Sequence, residues 1–259
     1  MLLNSNIIAN QFKQLAYNYN HAAALSQQVA RRILDRMDIM QIKPNTILDI
    51  GAGTGICSHL LAEKYPNSHL LLTDAADTML SIAKQNPIPS THFSYILGDT
   101  HQLPFAANSI DMLVANLVLP WCENIKGIFQ EWQRVLRPEG LLMFSCYGPD
   151  TLCELNKKHF FNDMHTIGDE LLPAGFSDPV MDREYFTLRY PDKASLIQEL
   201  QNNGDIYFLA DVDDPFQEDI KCDLTYEIIY GHAWKVQQFE TANIPLEFSI
   251  PLTKITKQL

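Results

Sequence analysis

Three glycines at alternate positions, in Ile47-Leu-Asp-Ile-Gly-Ala-Gly-Thr-Gly55, constrain this chain more than any other stretch. A short apolar run (Ile47, Leu48, Ile50) feeds them and a helical pattern follows, which predicts a strand, a tight turn and a helix N-terminus. Glycine lets a backbone approach a ligand closely and adopt dihedrals that a side chain forbids. The spacing is G-x-G-x-G. It is neither the G-x-G-x-x-G of a dinucleotide binder nor a phosphate loop with its Gly-Lys-Ser/Thr. A glycine turn without a phosphate lysine suits a nucleoside ligand that is not a polyphosphate, and S-adenosylmethionine (SAM), with its zwitterionic tail, fits.

Downstream spacing strengthens the reading. A helix is expected over Ile56–Tyr65, closed by Pro66, and then a buried strand over His69–Thr73 with Asp74 at its end. An acidic group at that strand end can accept both hydroxyls of a ribose. Helix Ala76–Gln85, strand Phe93–Leu97 ending in Gly98-Asp99, and strand Ile110–Ala115 tipped by Asn116 continue the rhythm. Helix Ile125–Leu136, a turn at Arg137-Pro-Glu-Gly140 and strand Leu141–Tyr147 complete it. Strands alternating with helices, with polar residues at strand carboxyl ends, predict an α/β, Rossmann-like sheet with helices on both faces and a ligand above the strand ends.

Residues 1–40 are expected as an N-terminal helical cap, with Ile8, Phe12, Leu15 and Tyr19 and then Leu25, Val29, Ile33, Leu34 and Met37 at helical spacing. The main domain is expected over 41–234, with 148–224 as an acceptor-side cap and 235–259 as a tail. Within the cap the pattern predicts a helix over Thr166–Ala174, strands at Tyr185–Tyr190 and Thr225–Tyr230, and a helix over Lys193–Gln201. The acidic run Asp205–Asp223 reads as a solvated loop.

Composition narrows the partners. A formal charge of −12 leaves no basic stripe for a phosphate backbone, so no nucleic-acid partner is expected. Five cysteines, odd in number and never in C-x-x-C pairs, argue against zinc or a disulfide framework. No apolar run approaches the ~20 residues of a membrane span, and no secretory signal is read at the start. A cytoplasmic monomer without a metal is expected.

Several further segments resemble the malonyl-acyl carrier protein O-methyltransferases of biotin synthesis, within the class I SAM-dependent methyltransferases. They are Asn116-Leu-Val-Leu-Pro-Trp-Cys122, Arg134-Val-Leu-Arg-Pro-Glu-Gly140, Tyr147-Gly-Pro-Asp-Thr-Leu-Cys-Glu-Leu155, Asp163-Met-His-Thr-Ile-Gly-Asp169, Ala174-Gly-Phe-Ser-Asp-Pro-Val-Met-Asp182 and Tyr230-Gly-His-Ala-Trp234. The likeness runs from about residue 8 to 234. The chain departs from the pattern at Pro120, where glutamine is usual, and at Asn156, where arginine is common. Residues 204–224 are also shorter and more acidic than usual.

The resemblance implies a seven-stranded sheet whose last strand is antiparallel, SAM as cofactor, and the free carboxylate of malonyl-acyl carrier protein (or malonyl-CoA) as methyl acceptor. Two other readings keep the SAM site: a hydroxylase-like or assembly-factor paralogue acting on another protein, and a catalytically silent SAM-binding module. For the cofactor it implies Asp49 and Gly51 at the amino-acid tail and Gly53 at the close approach. It also implies Asp74 at the ribose, Asp99 and Thr100 at the adenine, and Asn116 near the methionyl part. Asp99 also reads as a simple turn cap after Gly98. For the acceptor, Tyr19, Trp121, Tyr147, His165 and His232 are candidates, each also explicable as packing or as an ordinary hydrogen-bonded side chain. Arg31, Arg183 and Arg189 are possible carboxylate partners, and Arg31, Arg32 and Arg36 a possible carrier-docking patch. No residue is expected as a general base.

Overall fold

The computed structural model describes residues 5–86, 88, 92–155, 161–209, 212, 215–216 and 222–237. Seven strands form one sheet: β1 (Thr46–Ile50), β2 (His69–Asp74), β3 (Phe93–Leu97), β4 (Ile110–Asn116), β5 (Leu136–Tyr147), β6 (Phe176–Arg189) and β7 (Asp223–Lys235). Their order is β3-β2-β1-β4-β5-β7-β6. The first five run parallel, and β7 runs antiparallel to both β5 and β6. The order reverses between β1 and β4, where a doubly wound sheet opens its crevice.

Helices cover both faces because the strands are apolar on both. Ile47, Met112 and Val114 face a core shared with α2 (Ala24–Met37), α3 (Ile56–Lys64), α4 (Asp77–Gln85) and α7 (Lys193–Asn203). Their neighbours Leu48, Leu113 and Ala115 face the opposite core with α5 (Ile125–Val135) and α6 (Met164–Leu171). Strand side chains alternate between faces, so consecutive apolar residues require two layers of cover. Helix α5 supplies Ile128, Phe129, Trp132 and Val135 from one stripe, and Asn124 caps it by accepting from the Gly127 amide. Helix α2 does the same for the first core with Leu25, Val29, Ile33 and Met37, all buried. Helix α1 (Ser5–Tyr19) crosses the carboxyl ends of the strands and packs Ala16 against Ala76 and Met79.

The elements differ from expectation mainly in the last third. Strands β6 and β7 extend well beyond Tyr185–Tyr190 and Thr225–Tyr230, because the two pair with each other from Phe176↔Lys235 to Arg189↔Asp223. Pro179 lies in the bulge between Ser177 and Val180, where the ladder loses register. That interruption hides the strand's first half from a periodicity reading. Helix α6 is shorter than Thr166–Ala174 and starts two residues earlier, set by Asp163 accepting from the Thr166 amide. Arg137-Pro-Glu-Gly140 is an irregular start of β5, with Glu139 at φ 61°, so strand pairing already begins at Leu136. Of the expected acidic loop, Asp211, Asp213, Asp214, Glu218 and Asp219 lie outside the described residues, but Asp205 is buried, 1% exposed.

Candidate active site

A cavity with roughly 810 Å³ of empty space lies over the carboxyl ends of β1, β2, β3 and β4. Its floor is Ile50, Gly51 and Gly53; one wall is Thr73, Asp74, Gly98, Asp99 and Thr100; another is Asn116, Leu117, Val118, Trp121 and Cys122. Ser5, Ile8, Ala9, Phe12 and Tyr19 of α1 form the roof.

The glycine turn is a backbone device. Gly51 sits at φ 59°, and a Cβ there would stand 2.7 Å from the Val118 Cγ2. Gly53 sits at φ 55° and its missing Cβ would point into open space, with nothing nearer than the Gly51 carbonyl at 3.9 Å. Both positions need the left-handed region that side chains disfavour. Asp74 staples the turn: its carboxylate accepts from the Gly53 amide at 2.8 Å and the Ala76 amide at 2.8 Å. Burial pushes the Asp74 carboxyl above its ordinary value, against those backbone hydrogen bonds.

Asp99 and Asp74 end neighbouring strands, with Asp74 paired to Leu97. Asp99 accepts from the His101 amide at 2.9 Å and from the His101 ring at 2.8 Å, so it does cap its turn while lining the cavity. Burial would raise its carboxyl, but the His101 hydrogen bonds outweigh that and hold it below the ordinary value. Asn116 is fully engaged. Its amide nitrogen donates to the Ser26 carbonyl and hydroxyl, each at 3.1 Å, and its oxygen accepts from Ser145 at 2.9 Å. It therefore ties α2 to the tips of β4 and β5. The Thr100 hydroxyl accepts from the Trp132 indole at 3.1 Å, which ties the cavity wall to α5.

Asp49 lies behind the turn and does not reach the cavity wall. One carboxylate oxygen accepts from Ser58, and the other is buried without a partner among the described residues. Burial pushes its carboxyl up to about 7. An orphaned buried oxygen beneath a glycine cradle fits a ligand that brings positive charge, as the sulfonium and ammonium of SAM do.

A family model described as a methyltransferase domain matches residues 48–144. A malonyl-acyl-carrier-protein O-methyltransferase of Gallionella capsiferriformans is 38% identical, across 86% of this chain and 88% of its own. The chain belongs to the malonyl-acyl-carrier-protein O-methyltransferase family. A relative named malonyl-acyl-carrier-protein O-methyltransferase 1, of Coxiella burnetii, is 30% identical over 99% of this chain and 97% of its own. The fold is also that of phosphoethanolamine N-methyltransferase 2 of Haemonchus contortus, solved with S-adenosyl-L-methionine. That likeness has a TM-score of 0.55 at 17% identity, covering 86% of this chain and 57% of the other. A methyltransferase domain in this family takes SAM as its cofactor.

Of the acceptor candidates expected for this family, Tyr19 and Trp121 line the cavity. Trp121 meets Phe12 edge-to-face (ring centroids 4.9 Å apart) and lies tilted against Phe208 (4.5 Å). Burial raises the Tyr19 hydroxyl to about 12, so it is a neutral donor at neutral pH. Tyr147 is buried one layer behind, its hydroxyl donating to Asp205 at 3.1 Å. His165 and His232 are absent from the wall. His165 stands exposed at the start of α6, and His232 sits mid-strand in β7 opposite Met143 and Val180. A polar motif around a histidine does not report which end of a strand it occupies.

The arginines also lie elsewhere. Arg183 pairs with Glu227 at 3.4 Å, and Arg189 with Asp223 at 3.0 Å. Arg31 borders a separate concavity with Asn20, Gln27 and Thr54. No lysine or arginine lines the cavity among the described residues. The cavity's one cysteine, Cys122, is no nucleophile: burial pushes its thiol up to about 12. Sequence reasoning missed Ser5, Ile8 and Ala9 in the roof, Ser58 behind Asp49, and the pair Asp205 and Phe208. Phe208 and Asp205 carried no signal, since their partners lie far away in the chain.

Proposed function

We propose that this chain transfers the methyl group of SAM to the free carboxylate of a malonyl thioester, carried by acyl carrier protein or coenzyme A. Family membership and the cavity over the strand ends, with Asp74 bonded across to the glycine turn, carry that reading. When bound, SAM supplies an electrophilic methyl on a sulfonium. Asp74 accepts the ribose hydroxyls, and Asp99, with Thr100 beside it, receives the adenine amine. Gly51 and Gly53 admit the amino-acid tail to the backbone, while Asp49 beneath the turn contributes negative charge complementary to the ammonium. Asn116 keeps the wall at the methionyl part in place.

The acceptor needs no base. Carboxyl groups of its kind ionise near ~4, so the nucleophile is already an anion at neutral pH. What the chain must do is align one carboxylate oxygen with the methyl and keep water away, a task worth up to ~7–11 kcal/mol of the barrier. Trp121, Phe12 and Phe208 supply an apolar wall, and the neutral Tyr19 hydroxyl supplies a donor. A wall without lysine or arginine also leaves the carboxylate nucleophilic, because a tight ion pair would hold its electrons.

Incubation with SAM and malonyl-carrier, followed by intact-mass analysis of the carrier, tests the reading. One methyl on malonyl-carrier and none on acetyl-carrier is the expected result. No methyl on malonyl-carrier or malonyl-CoA, with SAM binding intact, would overturn it.

A further inference from the structure

Asp205 is a charged group in an apolar place. It opens the 3-10 turn Asp205–Leu209 that follows α7, and it is 1% exposed. Three neutral donors hold it: Tyr147 of β5 at 3.1 Å, Tyr226 of β7 at 2.9 Å, and the Asn203 side chain of α7 at 2.9 Å. No ion pair joins it to a cation among the described residues.

The cluster abuts the cavity wall at Phe12 and Trp121. Gly204, the preceding residue, has Phe12 and Trp121 3.4 Å from where its Cβ would stand. Three residues on, Phe208 lies tilted against Trp121. Tyr19, in the cavity roof, feels both Asp74 on the cofactor side and Asp205 on this one. An acceptor carboxylate presented to a methyl group beside Tyr19 and Trp121 therefore comes toward a second carboxylate buried in the same apolar wall.

We propose that Asp205 is a positioning residue that makes acceptor binding proton-linked: protonated, it admits the acceptor anion beside Trp121, and ionised, it opposes it. The proposal rests on the carboxyl-methylation reading. Two like charges roughly 10 Å apart at an effective dielectric of about 20 repel enough to change an affinity ten- to twentyfold. Burial pushes the Asp205 carboxyl up to about 7, against its three hydrogen bonds, so both states are populated near neutrality. When protonated, Asp205 needs an acceptor for its own hydrogen. The Tyr190 hydroxyl is within electrostatic reach of it and is buried without a partner among the described residues. The other titratable groups facing Asp205 are Tyr19, Tyr147 and Tyr226, all raised above their ordinary values, and Glu199 of α7, raised by burial. Glu199 is the one other carboxyl among these, and Glu199→Gln is the control for it.

The test is the pH dependence of kcat and of KM for malonyl-carrier between pH 6 and 8.5, in wild type, Asp205→Asn and Glu199→Gln. In the wild type and the Glu199 variant, KM should rise about tenfold across the range while kcat changes less than threefold. In Asp205→Asn it should stay flat, with the affinity for SAM within twofold of wild type. Parallel KM profiles in wild type and Asp205→Asn would overturn the proposal, as would a flat profile in the Glu199 variant. If Asp205→Asn does not fold, titrating wild type with malonyl-carrier at pH 7, in buffers of differing ionisation heat, decides the matter. Uptake of about half a proton supports the linkage, and no uptake rejects it. Methylation with a pH-independent KM removes this proposal alone. Absence of methylation removes the function and the proposal together.

Discussion

The two ends of the cleft are built by different means. The cofactor end is a backbone structure: three glycines at positive φ, an amide bonded to Asp74, and strand tips one sheet spacing apart. The acceptor end is a side-chain structure in which Phe12, Trp121, Tyr147, Asp205, Phe208 and Tyr226 meet from five separate segments. Each end also buries one aspartate whose carboxyl is pushed up to about 7, and the two are satisfied differently. Asp49 keeps an oxygen without a partner, whereas Asp205 has three donors. The first leaves an oxygen open to a further partner; the second is complete among the described residues.

If the cofactor end is backbone-made, its steepest failure should come from adding one methyl group. Gly51→Ala forces an unfavourable φ and drives a Cβ against Val118 at 2.7 Å. Strain alone costs about 1–3 kcal/mol, and the clash adds to it. Calorimetric affinity for SAM should fall more than thirtyfold. A fall below threefold would mean that the turn tolerates side chains and that the contrast between the two ends is wrong. Asp74→Ala should follow closely, since it removes the acceptor for the Gly53 and Ala76 amides as well as for a ribose. A loss of about 1–3 kcal/mol in SAM binding is expected, and unchanged affinity would clear Asp74 of the role.

The same contrast explains what was legible. The turn, Asp74, Asp99 and Asn116 lie at ends of short apolar runs, so local spacing locates both residue and element. The parallel half of the sheet was readable for the same reason. Strands β6 and β7 were half-hidden because β6 is an edge strand with an exposed face, broken by the bulge at Pro179. Tyr185, which opens the expected strand Tyr185–Tyr190, is 47% exposed and donates to Asp150. Asp205 read as one more acid in an acidic run. Its burial depends on Tyr147 and Tyr226, which are 58 and 21 residues away, and no local pattern carries that information.

Asp49→Asn sharpens the comparison of the two buried acids. A carboxyl raised from 3.8 to about 7 binds its proton more tightly folded than unfolded. Folding then takes up a proton between those values, so this group's contribution to stability is full below pH ~4 and declines as pH rises to ~7. Without ligand, the variant should be more stable than wild type at pH 8 by about 1–3 kcal/mol, and the gain should vanish at pH 5. Denaturant melts at both pH values measure it. Its affinity for SAM should nonetheless fall, because the ligand's positive charge loses its counterpart. A variant that is less stable at pH 8 would show that Asp49 is held by something other than Ser58.

The smallest effect is expected outside the cleft, at the arginines of α2. Arg32 and Arg36 share a helix face and, by sequence, suit a surface that greets an acidic carrier. In the fold their charges are already engaged. Arg36 bonds Asp182 at 2.5 Å and lies over the Tyr230 ring, and Arg32 meets Glu184 at 3.2 Å and Asp35 at 3.5 Å. An arginine neutralised by carboxylates of the neighbouring strand projects little net field toward a partner. Exposed pairs of this kind contribute about 0–1 kcal/mol to stability. Arg32→Ala and Arg36→Ala should each cost no more than that, and leave KM for malonyl-carrier within twofold at low salt. A tenfold rise in KM that disappears in high salt would return these arginines to the docking surface. Malonyl-CoA provides the internal control, since it presents the same carboxylate without the carrier. A variant slow with the carrier and normal with the thioester of coenzyme A would locate docking on α2.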